Sequence, residues 1–254
     1  MCRAYRPIIG SEDVVYHNLR IIAVIPAYNE QSKIGRVVAR IDRSSVDTVL
    51  VVDDGSTDST AAVALREGAT VLTITRRRGV GAALRTGLEF ARVAGFDAGV
   101  ILAGNNKDDP AEIPRLLDSI VTEGSDFVIG SRYVAGGRCG GAMPAYRKVA
   151  TRVHPWLISR FVGKELTETT NGFRALRLRV LDDPRIRLDQ RWLDSYGLEV
   201  YLLWKVLRLG YRHAEVPCTK IYPPKSLGIT KMPPVIGWWS ILRPIFLLAS
   251  GLRR

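Results

Sequence analysis

Residues 20–30 read Arg-Ile-Ile-Ala-Val-Ile-Pro-Ala-Tyr-Asn-Glu, and residues 48–56 read Thr-Val-Leu-Val-Val-Asp-Asp-Gly-Ser. Each stretch is a run of apolar, mostly β-branched residues that ends in polar turn residues, a pattern typical of a strand buried on both faces. A helical pattern over residues 32–41 separates them. Strands that alternate with helices in this way predict a parallel sheet covered by helices on both faces, an α/β fold.

The alternation continues to about residue 130 and becomes less regular after it. Further strands are predicted at 70–75, 98–102, 126–129 and 211–216, and further helices at 58–67, 81–94, 111–123, 145–161 and 198–209. Ser56 or Thr57 is available to cap the helix at 58–67. In such sheets ligands bind at the carboxyl ends of the strands, so the polar residues at those ends are the first candidates for a site.

The net charge and the cysteine content indicate which kind of partner and which cellular compartment to expect. The chain has 254 residues, a formal net charge of +12 and 46% hydrophobic residues, which predicts a globular protein with an anionic partner. It carries no basic motif interleaved with aromatic residues, so we expect no nucleic-acid ligand. Three widely spaced cysteines give neither a disulfide framework nor a zinc site, and they fit a reducing, cytoplasmic setting.

The two ends of the chain differ in character. Residues 1–19 form an extension in which Arg3, Arg6, Glu12 and Asp13 interrupt any apolar core, so no signal peptide is expected. Residues 235–252 are rich in Trp, Ile, Leu and Phe, but Arg243 and Pro244 near the middle disfavour a membrane span. We expect an amphipathic helix over 235–254 that lies either in a lipid interface or on its own domain.

Two strand ends carry residues suited to a nucleotide. Tyr28 can stack on a base, and Glu30 or Asp53 can accept hydrogen bonds from a base edge or from ribose hydroxyls. Asn29 and the Asp54-Gly55 pair are also ordinary turn residues, so either motif alone is weak. Their occurrence on successive strands about 25 residues apart is more specific, because it brings both loops to one edge of the sheet.

Several ordered motifs between Ile21 and Lys231 resemble those of the inverting family 2 glycosyltransferases of the GT-A fold, in particular the dolichyl-phosphate mannose synthase branch. The motifs are Pro26-Ala-Tyr-Asn-Glu30, Asp53-Asp-Gly-Ser56, Asp109-Pro110 with Glu112-Ile-Pro114, Gly130-Ser-Arg132, Asn171-Gly-Phe-Arg174 and Gly228-Ile-Thr-Lys231. The resemblance implies a catalytic domain over 20–234, with a Rossmann-like nucleotide-binding half at 20–130 and an acceptor half at 131–234.

The resemblance also implies donor-side roles. Pro26, Tyr28, Glu30 and Asp53 would hold the nucleoside of a sugar nucleotide, and Lys231 would cover its phosphates. Arg78, in the Arg-Arg-Arg-Gly-Val-Gly stretch at 76–81, is a further candidate for the phosphates, because the planar fork of arginine binds two phosphate oxygens at once.

The stretch 101–110, Ile-Leu-Ala-Gly-Asn-Asn-Lys-Asp-Asp-Pro, departs from the family at its metal motif. The family's Asp-x-Asp aligns with Ala103-Gly104-Asn105, and Lys107 stands where relatives often carry Gln. An amide oxygen is a weaker, neutral ligand for Mg²⁺ or Mn²⁺ than a carboxylate. Three possibilities stay open: a weak site through Asn105, a shifted site through Asp108, or stabilisation by Lys and Arg without metal. We expect a retained but weakened divalent-metal site, with Lys107 beside the diphosphate.

On the acceptor side, the resemblance implies that Arg132, Arg147 and Thr151 grip the phosphate of a polyprenyl phosphate. Arg147 and Thr151 are four residues apart on a predicted helix and therefore share a face. Glu168 stands where the family usually has Asp. It could act as a base toward a hydroxyl acceptor, orient the donor sugar, or cap a loop.

The leading hypothesis is a peripheral enzyme on the cytoplasmic face of the membrane that moves a hexose, with inversion, onto a polyprenyl or dolichyl phosphate. The expected donor is GDP-mannose. One alternative is an inverting enzyme that uses a saccharide or small-molecule hydroxyl. Another is a catalytically inactive protein that binds sugar nucleotides, which Ala103 and Asn105 bring into consideration.

Overall fold

The computed structural model describes residues 16–223 and 234–253. The predicted donor-phosphate residue Lys231 lies outside the described residues. The strands are β1 (Ile21–Ala27), β2 (Thr48–Asp53), β3 (Thr70–Thr73), β4 (Ala98–Ile101), β5 (Phe127–Ser131), β6 (Arg138–Gly141), β7 (Arg174–Arg177), β8 (His213–Pro217) and β9 (Thr219–Tyr222). The α-helices are α1 (Ile34–Ala39), α2 (Thr60–Arg66), α3 (Val80–Val93), α4 (Ile113–Val121), α5 (Ala145–Val162), α6 (Gly197–Arg208) and α7 (Pro234–Ala249).

Seven strands form one mostly parallel sheet in the order β3-β2-β1-β4-β7-β5-β8. The predicted α/β architecture is confirmed, because β1, β2, β3 and β4 pair in parallel and β5 pairs in parallel with β8. The exception is β7, which lies antiparallel between β4 and β5 and was not predicted. Since β7 and β8 come from the second half of the chain, the two predicted halves share a single sheet.

Alternation along the buried strands divides the core into two layers. Ile22 and Val24 of β1 face a cluster that includes residues of α3 and α6, and Ile21, Ala23 and Ile25 face a cluster with α1 and α4. Because successive side chains of a strand point to opposite faces, a continuous apolar run can serve both layers. This placement leaves the carboxyl ends of the strands open for a ligand.

Some of the predicted helices were longer than the observed ones. The helix predicted at 32–41 spans only Ile34–Ala39, and the one at 111–123 begins as a 3₁₀ turn at Pro110–Glu112 before α4. Neither Ser56 nor Thr57 caps α2, because that helix begins only at Thr60. The Asp58 carboxylate instead accepts from the Thr60 amide at 3.0 Å.

The C-terminal helix α7 packs one face on α5 and α6. Ile245 and Leu248 are buried in the core, whereas Trp239 and Phe246 are exposed and stack with ring centroids 6.5 Å apart. The helix therefore docks on its own domain and still presents aromatic side chains outward. None of the helices in the described part of the chain is both long and apolar enough to cross a membrane.

Candidate active site

A cavity of about 440 Å³ opens at the carboxyl ends of β1, β2 and β4, where Pro26, Asp54 and Leu102 line it. Side chains of α5 and of the first turn of α6 close the opposite wall. The volume is within the range of small-molecule sites, and the position is the usual one for ligands of open parallel sheets.

The structure brings most of the predicted site residues to this cavity. Those that line it are Pro26, Tyr28, Glu30, Asn105, Lys107, Arg132, Arg147 and Thr151. Asp53, Arg78, Asp108 and Glu168 lie outside the lining, each for a reason visible in its contacts.

Two neighbouring carboxylates at the end of β2, Asp53 and Asp54, make different contacts. Asp53 is buried and accepts from the Ser56 amide at 3.1 Å, so it braces its own turn. Asp54 lines the cavity and accepts from the amides of Arg78 and Gly79, both at 2.8 Å. Asp54 thereby fixes the loop between β3 and α3 against the cavity.

That loop presents Arg77 to the cavity in place of the predicted Arg78. The Arg78 guanidinium points to Asp194 at 3.5 Å, whereas the Arg77 guanidinium carbon lies 4.3 Å from the Tyr28 ring centroid. The direction of each arginine side chain depends on the conformation of the loop, so the arginine run alone could not identify which member faces the site. A flat ring beside a cation is suited to a nucleobase and its phosphate.

The lining is strongly cationic. The cavity lining contains seven cationic and three anionic side chains. The cations are Lys33, Arg77, Lys107, Arg132, Arg147, Arg174 and Lys220, and the carboxylates are Glu30, Asp54 and Glu199. An excess of positive charge in a concave, partly desolvated space favours multiply charged anions such as phosphates.

The electrostatic effect is clearest at Lys107. Burial, together with the charges of Arg147, Lys220 and Lys33, lowers the pKa of Lys107 to about 8, while Glu30 opposes the shift. An anion bound here would offset that repulsion and favour the charged ammonium.

Tyr222 links three of the cations. Its ring centroid lies 5.4 Å from the Lys107 ammonium and 5.9 Å from the Arg147 guanidinium carbon, and its hydroxyl accepts from Arg132 at 2.9 Å. This role was not predicted, because Tyr222 precedes Pro223-Pro224 and belongs to none of the motifs recognised in the sequence.

Arg132 and Glu168 form an ion pair in which the side chains are 1% and 0% exposed, with nitrogen and oxygen 2.5 Å apart. Burial alone would lower the pKa of Arg132, but the charge of Glu168 raises it above its ordinary value. The other oxygen of Glu168 accepts from the amides of Thr169, Thr170 and Asn171 and from the Thr170 hydroxyl. With both oxygens engaged, Glu168 is placed to orient Arg132 rather than to accept a proton from a substrate.

Thr151 and Arg147 occupy successive turns of α5 on the cavity side, as their spacing predicted. The Thr151 hydroxyl lies 2.6 Å from the Tyr133 hydroxyl and donates to the Arg147 carbonyl at 2.9 Å. These contacts hold the α5 wall of the cavity in a defined position.

The turn after β4 does not supply a donor set for a divalent metal. Ala103 offers no side-chain donor, and the Asn105 carbonyl oxygen accepts from the Lys107 amide at 3.2 Å. Asp108 pairs with the Lys220 ammonium at 2.5 Å, and its other oxygen is buried without a hydrogen-bond partner among the described residues. Across residues 16–223 and 234–253, no group of three His, Cys, Asp or Glu side chains comes together. Mg²⁺ and Mn²⁺ are usually held by one or two carboxylates together with waters and substrate phosphates, and neither Asn105 nor the paired, buried Asp108 presents a carboxylate to the cavity, so the expected metal site does not fit these residues.

Comparisons with known proteins identify the family of the chain. The family profile described as Glycosyl transferase family 2 matches residues 22–183. The chain is 32% identical over 222 residues to the polyprenol monophosphomannose synthase of Mycolicibacterium smegmatis, covering 84% of this chain and 81% of that one. It is 34% identical over 223 residues to the undecaprenyl-phosphate mannosyltransferase of Micrococcus luteus, covering 84% and 88%. It is 32% identical to the dolichyl-phosphate hexose transferase of Haloferax volcanii, covering 89% and 92%.

Among solved structures, glucosyl-3-phosphoglycerate synthase from Mycobacterium tuberculosis in complex with phosphoglyceric acid is similar. It matches with a TM-score of 0.66 and 23% identity over 94% of this chain and 82% of that one. A crystal structure of the same enzyme in complex with Mg²⁺ and uridine diphosphate gives a TM-score of 0.65 at 23% identity, covering 94% and 82%. At this identity the likeness establishes the GT-A fold and no more.

Proposed function

The chain belongs to glycosyl transferase family 2 and is a glycosyltransferase, and from this premise we propose that it moves a hexose from a nucleotide sugar onto a polyprenyl or dolichyl phosphate. The observation that carries the proposal is the cationic lining of one cavity, with positive side chains on both its nucleotide and its α5 walls. A reaction between a diphosphate donor and a phosphate acceptor requires positive charge on both sides.

For the donor we propose GDP-mannose. Two of the relatives are named for mannose transfer and one for hexose transfer, which supports a hexose and favours mannose. Pro26, Tyr28 and Glu30 would hold the nucleoside, with Arg77 beside the ring of Tyr28. Lys107 would lie at the diphosphate. Asp53 would act indirectly, by holding the turn that carries Asp54.

For the acceptor we propose a lipid phosphate held by Arg132, Arg147 and Thr151. A phosphate oxygen attacks the anomeric carbon, the bond from that carbon to the diphosphate oxygen breaks, and the electron pair leaves with the nucleoside diphosphate. Attack opposite to the leaving group inverts the carbon. A phosphate monoester is already ionised near neutral pH, so no protein base has to remove a proton. The engagement of both Glu168 oxygens is consistent with such a reaction.

We further propose that the protein binds the cytoplasmic face of a membrane through α5 and α7. Tyr146, Val149, Val153 and Trp156 lie three or four residues apart on α5 and are all exposed, Val149 by 64% and Trp156 by 65%. Exposed basic residues of the same helix, such as Arg152, can contact anionic headgroups beside this apolar stripe. Because α5 also carries Arg147 and Thr151, a membrane on this side would bring the lipid phosphate to the cavity.

Purified protein incubated with radiolabelled GDP-mannose and polyprenyl phosphate in detergent tests the proposal. We expect release of GDP and a mannosylated lipid with inverted configuration. A panel of UDP-linked and GDP-linked sugars would identify the donor if mannose is not transferred. Failure to release a nucleotide from any of them, with or without Mn²⁺, would contradict the proposal.

The same assay separates the other functions. An enzyme with a hydroxyl acceptor would release nucleotide only with a saccharide or another small alcohol, and Glu168→Gln would abolish that activity. An inactive binding protein would bind the sugar nucleotide by calorimetry without any turnover.

A further inference from the structure

The turn at residues 102–108 has lost the groups that would hold a metal and has gained a cation. Ala103 offers no donor, the Asn105 oxygen is engaged, and Asp108 has one oxygen paired with Lys220 and the other buried outside the cavity lining. In the same turn the Lys107 side chain lines the cavity. The Lys107 ammonium therefore places positive charge in the stretch of chain where a divalent ion would otherwise provide it.

Lys107 does not act alone in this part of the cavity. The cations that influence its charge most are Arg147, Lys220 and Lys33. Lys220 forms an ion pair with Asp108, and the Lys33 ammonium forms one with the Glu30 carboxylate at 3.1 Å. Arg147 lies on the opposite wall, and the Tyr222 ring lies within 6 Å of both Lys107 and Arg147. Lys107 and Arg147 thus form two positive groups around one aromatic ring.

We propose that Lys107 holds the diphosphate of the donor by direct charge contact, with Arg147 lying between this diphosphate and the acceptor phosphate that it also binds, so that this enzyme binds its nucleotide without a divalent metal. The proposal rests on the proposed function, because it assumes that the ligand is a nucleotide diphosphate. Lysine binds phosphate as a point charge, and fixed cations stabilise the charge that develops as the diphosphate departs. When the bond to the anomeric carbon breaks, its electron pair passes to a diphosphate oxygen that already faces ammonium and guanidinium groups.

Backbone contacts fix the position of the Lys107 turn. The Lys107 carbonyl accepts from the Ile221 amide at 2.9 Å, and Asp108 forms an isolated bridge with Lys220. Asp108, the carboxylate closest to a metal role in this turn, therefore serves as an anchor to β9. Recruiting the Oδ1 atom of Asp108 to a metal would break its contact with Lys220 and leave that ammonium, whose side chain is only 12% exposed, beside a second cation.

Isothermal titration of the whole protein with GDP and with UDP, in EDTA and in MnCl₂, tests this inference without relying on turnover. We expect the Kd of the preferred nucleotide to differ by less than about threefold between the two conditions. Lys107→Gln should weaken binding in EDTA about 10- to 100-fold, the range for one charged hydrogen bond. Lys107→Arg, which keeps the charge, should retain more of the affinity. Lys164→Gln removes an exposed charge outside the cavity lining and is the matched control, with an unchanged Kd.

Binding that disappears in EDTA and returns with Mn²⁺ would overturn the inference while leaving the proposed function in place. Equal affinity of the wild-type protein and Lys107→Gln in EDTA would overturn the role of Lys107. If neither nucleotide binds in either condition and no sugar nucleotide is turned over, the proposed function fails and the inference fails with it. Melting curves of each variant show whether a loss of affinity comes from the site or from unfolding of the protein.

Discussion

Replacing Glu168 by Gln distinguishes an orienting carboxylate from a catalytic base. The change leaves the Arg132 guanidinium, 1% exposed, without a negative partner in the interior. Removing one member of a buried ion pair typically costs about 3–5 kcal/mol, because the remaining charge stays desolvated. For a chain of this size that corresponds to a fall in Tm of roughly 6–20 °C.

Urea unfolding followed by tryptophan fluorescence measures the loss directly. Asp189→Asn is the matched control, because Asp189 pairs with Arg187 at 3.8 Å on the surface, with both side chains about two-thirds or more exposed. That change should alter the free energy of unfolding by less than about 1 kcal/mol. A loss below about 1 kcal/mol for Glu168→Gln would refute the interpretation of the buried pair.

Turnover of the same variant completes the test. With a phosphate acceptor we expect kcat per folded molecule to fall by less than about tenfold, since no proton has to be removed. Loss of a general base would instead lower kcat by roughly 10²–10⁴-fold. A deep loss of kcat in a variant of nearly native stability would assign Glu168 to proton transfer and favour a hydroxyl acceptor.

Three further perturbations test other parts of the structure. Burial lowers the pKa of His154 to about 4 from an ordinary 6.5; the unfolded chain therefore binds the proton first as pH falls. The free energy of unfolding, measured with urea, should therefore fall by about 2 kcal/mol between pH 7.5 and 5. In the His154→Gln variant this fall should be absent. Tyr222→Phe keeps the ring but deletes the oxygen that accepts from Arg132, so kinetics should show the acceptor KM raised about tenfold and the donor KM unchanged. Trp156→Ser should weaken flotation with anionic vesicles about tenfold, whereas Val93→Ser, also an exposed apolar residue but on α3, should not.

The strands of the nucleotide half could be predicted because their signal is local. β1 and β2 are uninterrupted apolar runs, and polar turn residues mark where each strand ends. Strand β7 has a weaker local signal, since Arg174 and Arg177 begin and end a four-residue strand. Arg174 is fully buried because its guanidinium donates to the carbonyls of Thr169, Asn171 and Glu199, contacts that no residue pattern reveals.

Site residues could likewise be predicted where the signal is local, and not where it depends on tertiary contacts. Tyr28 and Glu30 were identifiable because they closely follow the end of β1, where ligands bind, and Lys107 because the family resemblance placed it in the turn after β4. The pairing of Arg132 with Glu168 joins residues 36 positions apart and depends on the tertiary fold. Lys220 and Tyr222 were missed altogether, because β9 pairs with β6 in a separate small sheet that has no apolar run to announce it.

Strand β9 connects the two sides of the proposed reaction. Lys220 binds Asp108 and the Asn171 side chain, the Ile221 amide binds the turn that carries Lys107, and the Tyr222 hydroxyl binds Arg132. Three consecutive residues therefore fix the donor turn and an acceptor-side cation in one frame. In this frame the Oδ1 atom of Asp108 pairs with Lys220, and under the proposed function the positive charge for the diphosphate would come from side chains. The anchored Asp108 and the cationic lining would then be two parts of one arrangement, in which the same turn holds Lys107 toward the leaving group.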